Sequence, residues 1–211
     1  MFVLLTQREI VALSHKDLLT LLDYAPEQIE GLLEHADRLK HDRAAGGPQP
    51  LAGRTGVLIF EKPSLRTRIT FETAIHELGG HAINLEAAMV RMGQRESVAD
   101  VSRNLERWVH LIVARTFAHQ TVVDLARHSN IPVVNALTDL YHPCQALAFG
   151  LTVREHRPDT RPLTVAFVGD GNNVCSSIMI LCAKLGHNFI LACPSGYEPP
   201  REVTRTCSEI A

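Results

Sequence analysis

Ser64-Leu65-Arg66-Thr67-Arg68 places two hydroxyls and two guanidiniums within five residues. The segment follows a short apolar run, Gly56 to Phe60, and precedes a helical pattern from about Thr67 to Leu78. A strand-to-helix junction offers unpaired backbone N–H groups and the positive end of a helix dipole. The arginine fork matches phosphate oxygens. The chemistry on offer is an anion cradle for a phosphate. The same residues also read as an N-capping serine with solvated arginines; the spacing favours the cradle.

His142-Pro143-Cys144-Gln145 is a second candidate. It follows a strand, Pro132 to Asn135, and a polar turn with Thr138 and Asp139. Open α/β sheets bind ligands at the C-terminal ends of their strands. Arg115 follows the strand Leu111 to Ala114 in the same way. A lone histidine is commonly a cap or a core residue, and a strand-end arginine is commonly surface charge. Three polar strand ends holding Arg66, Arg115 and His142 are harder to dismiss. Cys144 invites a nucleophile reading, but residues two apart do not face each other on a helix. It reads as a small packing residue.

Gly169-Asp170-Gly171-Asn172-Asn173-Val174 imitates a dinucleotide fingerprint. That fingerprint needs a small residue where Val174 stands, and an acidic residue roughly 20 positions on. The stretch there reads Ile190 to Pro194, so a nicotinamide cofactor is not expected. Asn172 or Asn173 instead reads as a hydrogen-bonding partner for a polar substrate.

These segments are spaced by alternating elements. Helices are expected at Glu27 to Lys40, Thr67 to Leu78, Ser97 to Trp108, Val122 to His128 and Gln145 to Glu155. In the helix at Ser97, residues Val98, Val101, Leu105 and Trp108 share one face. Strands are expected at Gly56 to Phe60, Ala82 to Leu85, Leu111 to Ala114 and Pro132 to Asn135. Strands separated by helices imply a parallel sheet covered on both faces. Arg157 to Pro162 reads as a linker. Beyond it come a strand at Leu163 to Val168, a helix to about Leu185, a strand at Phe189 to Ala192 and a helix from Pro199-Pro200. The expected class is α/β, with parallel-sheet doubly wound domains: a complete N-terminal domain, 1–157, and a partial second Rossmann-like domain, 158–211. A length of 211 residues is long for one domain and short for two. A second unit of two strands should expose apolar surface between Val165 and Leu191.

Composition narrows the function classes. Lys+Arg 21 against Asp+Glu 23 leaves a net charge of -2, so there is no basic field for nucleic acid. No apolar run reaches membrane-span length. The five cysteines form no C-x-x-C pair, which fits reduced thiols and neither a disulfide framework nor a zinc site. The N-terminus lacks a signal or transit pattern. A cytoplasmic protein without a metal is expected.

Four segments together resemble the aspartate/ornithine carbamoyltransferase superfamily, on its ornithine branch. They are Phe60 to Arg68, Ala114-Arg115-Thr116, Asp139 to Leu147 and Gly169 to Asn173. The resemblance covers nearly everything after about Lys16. It implies transfer of the carbamoyl group from carbamoyl phosphate to the side-chain amine of L-ornithine, releasing L-citrulline and phosphate, with no cofactor. By the matching motifs, Ser64, Arg66, Thr67 and the Leu65 amide hold the phosphate. Arg115 bridges the phosphate and carbonyl oxygens, and His142 donates to the carbonyl oxygen. Gln145 contacts the carbamoyl amide, and Asn173 holds ornithine. Arg115, His142 and Thr67 are then the catalytic donors. Arg68 is given a structural part.

The resemblance also implies a homo-oligomer, a trimer with sites at subunit interfaces. Family members carry a glutamine that reaches the neighbouring subunit's site; Arg91 stands at that place here. The family's further ornithine-binding segment (Asp followed by Ser-Met-Gly) and its late His-Cys-Leu-Pro motif are absent from this sequence. Without them, carbamoyl transfer to another amine such as putrescine stays open, as does a non-catalytic protein that binds carbamoyl phosphate.

Overall fold

A computed structural model describes residues 13, 15–86, 92–93, 95–158 and 162–211. Its elements alternate as the hydrophobic runs require. α1 (Pro26–Asp42) starts with proline at its first position, where no N–H is needed. Then come β1 (Thr55–Phe60), α2 (Leu65–Glu77), β2 (His81–Glu86), α3 (Val98–Leu105), β3 (Leu111–Arg115), α4 (His119–Arg127), β4 (Val133–Leu137) and α5 (Pro143–His156). β5 (Thr164–Val168), α6 (Asn173–Lys184), β6 (Asn188–Ala192) and α7 (Arg201–Ile210) follow. The expected linker begins after α5, and residues 159–161 of it lie outside the described residues.

The first four strands form one parallel sheet in the order β2-β1-β3-β4. Successive side chains alternate between its faces. Val57, Ile59, Ile112, Ala114 and Val133 join Val101 and Leu105 of α3 and Val122 and Leu125 of α4 on one face. Leu58, Val113 and Ala136 meet Ile75 of α2 on the other. Both faces are covered, as a parallel sheet needs. The β4 edge is bridged by Leu18, whose N donates to the Val133 carbonyl while its carbonyl accepts from Asn135 N.

β5 and β6 form a separate parallel pair. α6 is apolar around most of its circumference because it is buried between layers. Leu21, Ile29, Leu33, Ala146, Ile178 to Cys182, Val203 and Cys207 form one cluster there. That cluster joins α1, α5, α6 and α7 and receives Val165, Phe167 and Phe189 from the strands. At Gly171, a Cβ would sit 2.3 Å from Pro199 N, so only glycine permits the β5–α6 turn to pass the segment before α7.

One expectation needs correction, and a second is narrowed. The helix from Ser97 ends at Leu105, and Trp108 lies beyond it, 70% exposed. Val109 fills the buried position instead, because the chain turns after Leu105 and the helical period no longer applies. The surface between Val165 and Leu191 is exposed on one face only. Val168 (82%) and Ile190 (56%) are exposed, while Val165, Phe167 and Phe189 pack inward.

Candidate active site

The order of the sheet makes β1, β3 and β4 immediate neighbours, and their parallel sense brings their C-terminal ends to one edge. Arg66, Arg115 and His142 therefore stand on three adjacent loops or helix starts. Ser64 is the N-cap of α2. Its Oγ accepts from Thr67 N at 3.4 Å and donates to Thr67 Oγ1 at 2.9 Å. The cap thus uses the residues expected to form the cradle: the serine fixes the first turn, and that turn carries the remaining amides.

Leu65 and Arg66 are exposed in that turn, and Arg66 has no ion-pair partner among the described residues. Arg68 pairs with Glu72 at 3.2 Å along the helix, which gives it a local partner. Arg115 Nη1 donates to Thr67 Oγ1 at 3.3 Å, so the second strand end meets the first. Arg115 Nε and His142 Nδ1 are buried with no hydrogen-bond partner among the described residues. Buried polar nitrogens are ordinarily satisfied, and each unsatisfied one costs about 1–3 kcal/mol. Both nitrogens belong to the side chains that meet at this sheet edge.

Burial, and secondarily the Arg115 charge, pushes the His142 pKa from 6.5 down to about 4. The imidazole is therefore neutral near neutral pH and has one N–H to donate. Burial also lowers the Arg115 pKa, though an arginine remains charged. A cation and a neutral donor side by side suit oxygen acceptors, anionic or carbonyl.

Residues not singled out as site residues in the sequence hold these loops together. Glu61 N donates to the Arg115 carbonyl at 2.8 Å, and Glu61 Oε2 accepts from Phe117 N at 2.7 Å. Asp139 N donates to the Phe117 carbonyl at 2.9 Å, and Asp139 Oδ1 accepts from His119 N at 2.8 Å. Thr138 Oγ1 lies 3.1 Å from His119 Nδ1. The signal available in the sequence was position alone: each lies within a few residues of a strand end.

The β4–α5 loop is also tied to α6. His142 N donates to Ser177 Oγ at 2.8 Å, and Ser177 Oγ donates to the Asn173 carbonyl at 2.9 Å. Asn173 Nδ2 donates to the Thr138 carbonyl at 2.5 Å. Asn172 caps α6, its Oδ1 accepting from Val174 N and Cys175 N. Of the two asparagines, Asn172 is committed to the helix and Asn173 faces the His142 loop. Gln145 is exposed in the first turn of α5. Arg91 lies outside the described residues. Cys144 Sγ donates to the Asn135 carbonyl at 3.6 Å, and burial pushes its pKa up to about 12. That supports a packing residue over a thiolate nucleophile.

The profile of the carbamoyl-P binding domain of aspartate/ornithine carbamoyltransferases matches residues 16–155. The chain belongs to this family. The profile of the family's Asp/Orn binding domain matches residues 161–211. An ornithine carbamoyltransferase of Pyrococcus horikoshii is 45% identical over 203 residues, covering 96% of this chain and 64% of its own. One from Thermus thermophilus is 50% identical over 184 residues, covering 87% and 60%. The solved ornithine carbamoyltransferase of Pyrococcus furiosus superposes with a TM-score of 0.90 at 44% identity, covering 93% of this chain and 63% of that one. The chain spans about 64% of the length of the first of these relatives. No helix among its described residues is long and apolar enough to cross a membrane.

Proposed function

We propose that the protein transfers the carbamoyl group of carbamoyl phosphate to the side-chain amine of L-ornithine, giving L-citrulline and phosphate. The observation that carries this is the meeting of three strand ends at one sheet edge: Arg115 Nη1 donates to Thr67 Oγ1 of the Ser64 turn at 3.3 Å, and the Arg115 charge acts on His142. Ser64, Arg66, Thr67 and the Leu65 amide bind the phosphate group. Arg115 spans the phosphate and carbonyl oxygens, His142 donates to the carbonyl oxygen, and Gln145 contacts the carbamoyl amide. Asn173 contributes to ornithine binding from the start of α6. Similarity to proteins named ornithine carbamoyltransferase supports the choice of amine.

In this reading the amine nitrogen attacks the carbamoyl carbon and a C–N bond forms. Negative charge develops on the carbonyl oxygen, where Arg115, His142 and Thr67 are already oriented. One such preorganised donor contributes about 2.7–4 kcal/mol in well-studied cases. The carbon–oxygen bond to phosphate then breaks, and the departing phosphate takes the proton of the amine. Holding two substrates at one sheet edge supplies much of the remaining rate. The proposal divides the chain into a carbamoyl-phosphate-binding domain, 1–157, and part of an ornithine-binding domain, 158–211. It also includes a cytoplasmic homo-oligomer, a trimer, on the strength of the resemblance.

Calorimetry with carbamoyl phosphate and with inorganic phosphate tests the cradle. Arg66→Ala is expected to weaken both at least tenfold, about 1.4 kcal/mol; a smaller loss overturns the phosphate assignment. Citrulline formation from ornithine and carbamoyl phosphate, with putrescine as the competing amine, tests the reaction. Carbamoyl phosphate binding without turnover of either amine reduces the chain to a binding protein.

A further inference from the structure

We propose that His119 is a positioning residue, which holds the loop presenting His142 and thereby sets recognition of the carbamoyl group without touching the ligand. The proposal rests on the carbamoyl-phosphate reading above. His119 opens α4, just beyond the strand end that carries Arg115. It reaches the three residues that matter ahead of His142. Its Nδ1 lies 3.1 Å from Thr138 Oγ1. Its backbone N donates to Asp139 Oδ1 at 2.8 Å. Its ring stands edge-on to Tyr141, with centroids 4.9 Å apart.

Thr138 is the hub of that loop and is fully buried. Its N donates to the Tyr141 carbonyl at 2.9 Å, its Oγ1 accepts from Tyr141 N at 3.2 Å, and its carbonyl accepts from Asn173. Among the described residues, the imidazole is the side chain from outside the loop that meets this hydroxyl. A loop of four residues closed on itself is defined internally, but its tilt relative to the sheet needs an external contact. His119 provides one from α4, which is anchored on the sheet through Val122 and Leu125. The ring is half-buried, and burial holds its proton affinity below the ordinary histidine range against the pull of Asp139 and Asp23. A neutral ring suits a hydroxyl partner.

The phosphate-binding groups Ser64, Arg66 and Thr67 lie on a different loop. A positioning role therefore separates two ligands that share a phosphate. His119→Ala is expected to weaken carbamoyl phosphate about five- to tenfold, the effect of one hydrogen bond, and to leave inorganic phosphate unchanged within about twofold. His119→Asn, whose side-chain amide can take the place of Nδ1, is expected to restore binding. The His142 ring, followed by NMR through a pH titration, is expected to move up from about 4 in His119→Ala as it gains solvent. Parallel weakening of both ligands, no weakening of carbamoyl phosphate, or failure of His119→Asn to restore it overturns the proposal. Should the unaltered chain bind neither ligand, the carbamoyl-phosphate reading fails instead. The His142 titration then decides the positioning role alone, and an unmoved titration overturns it.

Discussion

Replacing Arg115 by methionine should raise the pKa of His142 without returning it to 6.5. Burial is the larger cause of its low value and the Arg115 charge the smaller, and together they bring it to about 4. Methionine keeps the apolar bulk and removes the charge, so only the second contribution is lost. The same depression makes a stability prediction. Between pH about 4 and 6.5 the unfolded chain binds the proton that the folded ring refuses. Stability from this group is therefore complete above pH 6.5, declines as the pH falls, and stops declining below about 4. Linkage from pH about 7.5 to about 5 gives at most about 2 kcal/mol, and partial solvent screening brings that to about 1–2 kcal/mol. Urea unfolding at the two pH values, in the unaltered protein and in His142→Asn, isolates the contribution, because the remaining histidines are common to both. NMR titration of the ring gives the pKa directly. A His142 titrating at or above 6, an Arg115→Met variant that leaves it unmoved, or equal pH slopes with and without His142 would refute the reasoning.

Asn172→Ala removes the acceptor for Val174 N and Cys175 N at the start of α6. It should cost about 1 kcal/mol and lower the melting temperature by about 2–4 °C; an unchanged thermal melt contradicts the capping role. Cys144, with its thiol pushed up to about 12, should remain unmodified when the native protein is treated with iodoacetamide at pH about 8. Peptide mass mapping reads this out, and rapid labelling of Cys144 would restore the nucleophile reading.

The three strand ends were legible in the sequence because each apolar run stops at a polar residue with chemistry of its own. Arg115 closes LIVA, and the serine turn closes GVLIF. What periodicity does not contain is which strands are neighbours. The order β2-β1-β3-β4 is what makes three separate loops into one site. The cross-links Glu61–Phe117, His119–Thr138 and Ser177–His142 join residues far apart in the chain, and no local pattern announces them. Trp108 shows the opposite failure. Helical spacing assigned it to a buried face, but the helix stops three residues earlier and solvent takes the ring.

The buried nitrogens of Arg115 and His142 have a consequence for how the protein tolerates mutation. Their desolvation is suffered on folding, and no hydrogen bond among the described residues offsets it. The two positions proposed to serve the ligand are therefore liabilities to the fold on its own. An apolar residue of similar size at either place removes the unsatisfied group, so selection for thermal resistance and selection for turnover pull these positions in opposite directions. In a library sorted first for stability and then for binding, Arg115 and His142 should be depleted by the first sort and restored by the second, while Val57 or Leu125 in the sheet core should be kept by both.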